Sequence, residues 1–222
     1  MKGLCIAAVA AAALAASAGA ATVQVQIVGE VTGKSSNAGF LNSALGGVQV
    51  GSTATYTFTV DSANFATNGS GNTRGYVINP ASVSLTMGSV STGMPSPYPF
   101  GQTGYFNLTN GDPVSDRFAL SESPEFPSSV YTDAAGVLDT YFANAFYASY
   151  DGSALSSTDI LTALGTYDVM SGVSGYDWTI NDGPAPRIFI DYSRLTISLV
   201  PAPTAAATLI PGLLLCARRR RA

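Results

Sequence analysis

Ser52-Thr53-Ala54-Thr55-Tyr56-Thr57-Phe58-Thr59-Val60 alternates threonine with Ala54, Tyr56, Phe58 and Val60 along a single stretch. Successive side chains of a strand point to opposite faces, so this period of two predicts a sheet with threonines in water and aromatics in a core. Val23, Val25 and Ile27 against Gln24 and Gln26 repeat the pattern near the start of the chain. Further strand candidates are Ser82 to Met87, Gly104 to Leu108, Asp116 to Ser121, Leu138 to Tyr150, Tyr176 to Ile180 and Arg187 to Val200. The last two form an expected hairpin around Asn181-Asp182-Gly183-Pro184-Ala185-Pro186, a run of turn formers. One short helix is expected, capped by Ser157 or Thr158, carrying Ile160, Leu161 and Leu164 and closed by Gly165. Many short strands punctuated by Gly, Asn, Asp and Pro predict an all-β chain with a single antiparallel β-sandwich or jelly-roll-like domain over residues 21–199.

Composition narrows the chemistry. The 222 residues contain no histidine, which excludes Ser-His-Asp and Cys-His hydrolases and most zinc enzymes. Hydrophobic residues make up 46%, too many for a disordered chain, while 23 Gly and 12 Pro are too many for a helical one. Lys2 and Arg218 to Arg221 account for five of the ten basic residues and lie at the ends of the chain. All fourteen acidic residues lie between Glu30 and Asp191, so the central domain has a net charge of −9. Such a surface repels phosphate backbones and anionic lipid, which argues against nucleic acid as a partner.

The two ends differ from the middle. Lys2, the apolar run Leu4 to Ala16 and the small residues Ser17 to Ala21 have the layout of a secretory signal, with Ala18 and Ala20 before the cut. Residues 1–20 are therefore expected to be removed by signal peptidase; an uncleaved anchor is the alternative, but the run is short for a bilayer of about 30 Å. At the other end, Pro201-Ala202-Pro203 precedes a mostly apolar stretch from Thr204 to Ala217 and then Arg218-Arg219-Arg220-Arg221. That stretch, interrupted by Pro211, predicts a short transmembrane helix whose arginines act as a stop-transfer cluster on the cytoplasmic side. Cys5 and Cys216, the two cysteines, both fall in these end segments, so the central domain holds no disulfide and relies on its core.

Proline-x-proline, a short apolar helix and a terminal arginine cluster on a chain with a signal peptide resemble the C-terminal sorting domain named for its Pro-Glu-Pro motif (PEP-CTERM). The resemblance covers residues 200–222, with Ala202 where the family's name has glutamate. It implies an exported bacterial protein, held transiently in the cytoplasmic membrane, cut near Pro201 to Pro203 by an exosortase or a variant of it, and then attached to the cell surface or released. The central domain resembles, more diffusely, the uncharacterised β-sandwich domains that precede such tails. Plain anchoring by the C-terminal helix is the alternative.

Candidates for chemistry are few. A glycosidase needs only two carboxylates, for which Glu122, Glu125, Asp116 and Asp139 are available. Calcium is the one cofactor with candidate ligands: Asp61, Asn64, Asn68 and Asn72 around a Gly/Ser loop, and Asp112 with Asp116. Neither stretch follows the regular calcium-loop spacing, and Asn-Gly is also a turn former, so no cofactor is expected. Aromatics offer glycan contacts: in an extended strand Phe142, Phe146 and Tyr150 share one face and Tyr141 and Tyr147 the other, with Trp178 as a further candidate. The expected function is non-enzymatic, a structural or adhesive role in the cell envelope or extracellular matrix. A carbohydrate-binding module that meets extracellular polysaccharide is the alternative, and a carboxylate-dependent glycoside hydrolase the third reading.

Overall fold

The computed structural model describes residues 20–35, 43–111, 114–126, 128–133, 141–152, 154–168, 173–181 and 187–201. Its strands are β1 (Thr22–Lys34), β2 (Thr53–Thr67), β3 (Thr73–Ile78), β4 (Ser84–Met87), β5 (Val90–Thr92), β6 (Tyr105–Gly111), β7 (Ser115–Ser121), β8 (Val130–Asp133), β9 (Tyr141–Tyr150), β10 (Gly165–Asp168), β11 (Val173–Asn181) and β12 (Arg187–Leu199). Three short 3-10 turns join them, and no α-helix occurs among the described residues.

The alternation at the start of β2 does what its period demands. Ala54, Tyr56, Phe58 and Val60 are buried, while Thr53, Thr55, Thr57 and Thr59 face outward. Val23, Val25 and Ile27 of β1 stand opposite Val60, Phe58 and Tyr56, so both strands contribute to one core. Eight antiparallel strands run β1-β12-β11-β9-β7-β6-β3-β2, and β2 pairs back to β1. This closed barrel replaces the expected sandwich. Beyond the pattern of faces, a sandwich needs two sheets with free edges; here β1 is paired on both sides from Val23 to Glu30, and closure removes that edge.

Three long strands share one edge between two partners. β2 pairs β4 through Ala54 to Thr57 and then β3; β9 pairs β8 through Tyr141 to Asn144 and then β7; β12 pairs β11 and then β10. At these points the wall splays, and the β4–β5 and β8 segments are tied together by the Asp133 amide donating to the Gly93 carbonyl at 2.8 Å. Where β1 meets β12 the register slips at Gly29, and a Cβ there would lie 2.2 Å from the Asp191 carbonyl oxygen. Only glycine allows the two backbones to approach so closely.

The expected helix after Ser157 is instead a single turn, closed by the Thr162 amide on the Asp159 carbonyl at 3.0 Å and the Ala163 amide on the Ile160 carbonyl at 3.2 Å. One turn gains too few bonds to sustain a helix, and its anchors are tertiary. Leu155, Ile160 and Ala163 enter the core, whereas Leu161 and Leu164 stay exposed. The Tyr76 hydroxyl of β3 donates to the Thr158 carbonyl and accepts from the Ile160 amide, each at 2.9 Å. Asn110 of β6 and Asp116 of β7 bind the Leu155 backbone, so this strap lies across one end of the barrel.

The described chain enters and leaves at one place. Val23 stands opposite Leu199, and the Val200 amide donates to the Thr22 carbonyl at 2.9 Å. Lys34 and Ile188 pair at the other end of the same two strands, about 40 Å away along the chain at roughly 3.3 Å per residue. No helix among the described residues is long and apolar enough to cross a membrane. The expected signal peptide and C-terminal helix lie outside the described residues, apart from Ala20 and Pro201, both exposed.

Candidate functional site

Side chains that reach the outer surface near the Lys34–Ile188 end form an aromatic group. β8 and β9 pair through Asp133 and Tyr141, and Tyr131 follows on the same outward face of β8, because residues two apart share a face. Tyr131 is its centre: Phe100, Tyr98 and Tyr141 have ring centroids 5.7, 5.8 and 5.9 Å from it, all tilted or edge-on. Such geometries are the attractive ones for aromatic quadrupoles.

Two of these rings come from the proline-rich segment between β5 and β6. Pro99 is buried and fixes the turn, while Phe100 is turned outward and is 78% exposed. Its φ of +58° makes it the non-glycine residue in the left-handed region among the described residues. A bulky side chain there is costly, by about 1–2 kcal/mol. Tyr98 is bolted in place. Its hydroxyl accepts the Tyr131 amide at 2.9 Å and donates to Glu122 Oε1 at 3.1 Å. Burial pushes the Tyr98 phenol well above its usual range, and the facing Glu122 carboxylate adds to this, so the ring stays a neutral donor. Burial also pushes the Glu122 carboxyl upward, with the Tyr98 bond opposing it. Oε2 of Glu122 carries no hydrogen bond among the described residues.

The other sequence candidates are dispersed. Tyr141 belongs to the aromatic group, but Tyr147, on the same face of β9, lies about 20 Å further along at roughly 3.4 Å per residue. Its ring carries the Arg117 guanidinium 5.4 Å from the centroid, so that side of the ring is occupied. Trp178 stands opposite the core residue Phe146 in register, and its side chain lies outside the described residues.

Asp116 and Glu122 do not form a catalytic pair. Asp116 and Glu122 bracket β7 and are separated by about 20 Å of strand, beyond the roughly 5–9.5 Å that glycoside hydrolysis uses. Asp116 is fully buried, and its Oδ2 accepts the Leu155 amide at 2.7 Å. Glu125 turns away to the Gly69 amide at 2.9 Å. Asp139 lies outside the described residues.

The side-chain oxygens of Asn68 and Asn72 are engaged in turn bonds. Asn68 Oδ1 accepts the Thr73 amide at 3.0 Å, and Asn72 Oδ1 accepts from Asn68 and from Ser70, at 2.8 and 2.7 Å. Asp61 and Asn64 lie within β2 rather than in the loop, with Asp61 capping the Ala63 amide at 2.8 Å. Asp112 lies outside the described residues. Among the described residues no group of three or more His, Cys, Asp or Glu is placed to hold a metal.

The aromatic group was missed from the sequence because its rings come from three distant segments: the β8–β9 pairing sets Tyr131 beside Tyr141, and the β5–β6 segment lays Tyr98 and Phe100 against Tyr131. The one signal was Tyr141. No protein-family model, no curated protein and no solved structure matches this chain.

Proposed function

We propose that the chain is an exported, surface-sorted, non-enzymatic protein with an adhesive or structural role in the cell envelope or extracellular matrix. The observation that supports an adhesive role is the Tyr98–Phe100–Tyr131–Tyr141 group, in which Phe100 stands 78% exposed on a strained backbone. The strained backbone and exposed ring of Phe100 cost the folded domain free energy that contact with an outside surface would offset. Routing rests on the sequence: Ala18 and Ala20 for signal peptidase, Pro201-Ala202-Pro203 for an exosortase-like enzyme, and Arg218 to Arg221 for the transient membrane stage. The adjacent exit of Thr22 and Val200 fits this reading, because a tether at Pro201 leaves the aromatic end of the barrel pointing away from the membrane.

Intact-mass analysis of the surface fraction tests the routing. The expected mature protein begins at Ala21, ends near Pro203 and lacks the arginines. Retention of Arg218 to Arg221 in that fraction overturns sorting in favour of plain anchoring. Hydrolysis of any polysaccharide by the purified protein overturns the non-enzymatic reading.

A further inference from the structure

We infer that the Tyr98–Phe100–Tyr131–Tyr141 surface, with Glu122 at its margin, is a binding platform for an uncharged oligosaccharide chain. This rests on the adhesive reading above and names its partner. Three features of the group select that chemistry.

First, the rings form an outward-facing cluster, with Phe100 and Tyr141 at 5.7 and 5.9 Å from Tyr131 and their planes tilted from it by 65° and 55°. An exposed, tilted set of ring faces suits the apolar C–H faces of sugar units in a twisted chain, whose hydroxyls remain at the edges. Second, the cluster is rigid before any ligand arrives. Tyr98 joins the β8 backbone to Glu122 through two hydrogen bonds, and Phe100 is held on a left-handed backbone conformation that projects its ring into solvent. A pre-organised surface loses little entropy on binding. Third, the margin adds a hydrogen-bond acceptor and no cation. Glu122 Oε2 is an acceptor without a hydrogen bond among the described residues, matched to a sugar hydroxyl donor. No lysine or arginine joins the group, and the domain's −9 charge repels polyanions, so acidic polysaccharides and nucleic acids do not fit.

The test is calorimetric titration of the mature exported protein with cellohexaose, xylohexaose and laminarihexaose, and with polygalacturonate as the anionic comparison. Saturable binding to at least one neutral hexasaccharide is expected, weakened tenfold or more by Phe100→Ala and by Tyr141→Ala. Phe100→Trp retains it, Tyr147→Ala leaves it unchanged and Glu122→Gln weakens it several-fold. Circular dichroism and thermal midpoints confirm that the surface variants remain folded. Failure of all three neutral probes overturns the inference, as does binding that Phe100→Ala leaves intact or binding to polygalacturonate of equal strength. A self-association that Phe100→Ala abolishes, without sugar binding, overturns it in favour of a contact between copies. In each of these cases an exported protein ending near Pro203 still upholds the surface-sorted, non-enzymatic reading, whereas retention at full length in the cell sinks that reading whatever the titration shows.

Discussion

Two tyrosine-rich regions stand at opposite ends of the same strand, β9, one turned to the core and the other to the outer surface, and they differ in what covers them. At its Tyr150 end, the Tyr150 and Tyr192 hydroxyls meet at 3.1 Å, Tyr192 donates to the Tyr167 carbonyl at 2.9 Å, and Tyr167 donates to the Ala163 carbonyl at 2.8 Å. Because the Tyr192 proton is committed to Tyr167, Tyr150 is the donor between the first two. The strap carrying Leu155 and Ile160 closes over that end of the barrel. At the Tyr141 end, comparable rings meet at similar distances around Tyr131, but no strap covers them among the described residues and Phe100 faces solvent. Ring chemistry is shared; cover is not. The strapped end stores stability, and the open end carries strain and exposed apolar surface, the usual mark of a contact site.

The contrast is broken most severely at Phe118, whose ring stacks on Phe106 at 6.1 Å and lies 4.6 Å from Tyr167. Phe118→Ala is expected to lower unfolding free energy by about 4 kcal/mol, as for other buried Phe truncations. Phe100→Ala, measured in the same urea titration, should change it by less than about 0.5 kcal/mol, as exposed positions do. Equal losses at the two sites would erase the distinction.

Hydrogen bonding sharpens it next. Tyr192→Phe removes the donor to Tyr167 and the acceptor for Tyr150, and should cost about 1.5 kcal/mol. The pH dependence carries the same signature. Burial pushes the Tyr192 phenol far above its usual range, and burial with the neighbouring Tyr150 and Asp116 pushes Tyr167 up to about 12. Above about pH 10 the unfolded chain has released these protons while the folded barrel still holds them, so stability falls as pH rises. Each such tyrosine contributes a slope of about 1.4 kcal/mol per pH unit, fully absent below the unfolded value. Urea midpoints between pH 9 and 11.5 should therefore decline less steeply in Tyr192→Phe than in the parent; an unchanged slope would mean the phenol ionises as freely in the barrel as in water.

The smallest effect has the opposite sign. Phe100→Asn places a residue tolerant of left-handed backbone at φ +58°, relieving strain at the loss of one ring contact. A gain of about 0.5 kcal/mol, seen as a higher thermal midpoint, is expected together with loss of saccharide binding. A lower midpoint would show that the Phe100 ring serves the fold.

Much of the sheet was legible. The Thr53 to Val60 alternation, the Tyr141 and Phe142 faces of β9 and the late hairpin through Thr179 and Phe189 all follow from a period of two and from turn formers. β3, β5, β8 and β10 were not read, for short strands such as Val90–Thr92 and Val130–Asp133 hold too few residues to display a period and owe their existence to neighbours. The helix expected after Ser157 failed because Ile160 and Leu161 are read locally as one apolar face, while Tyr76, 84 residues from Ile160 in sequence, takes the Ile160 amide.

What the sequence by itself determined is which side of each long strand meets the core, an acidic, thiol-free central domain, and the absence of histidine chemistry. Period, charge and composition are local or additive properties, and they survive any arrangement of the strands. Closure into a barrel, the strap over one mouth and the meeting of Tyr98, Phe100, Tyr131 and Glu122 were decided only by tertiary structure. Antiparallel pairing specifies a face but not a neighbour; it is β1 returning to β2 that closes the wall, and β8 lying beside β9, with the β5–β6 segment folded onto Tyr131 and Glu122, that gathers those side chains.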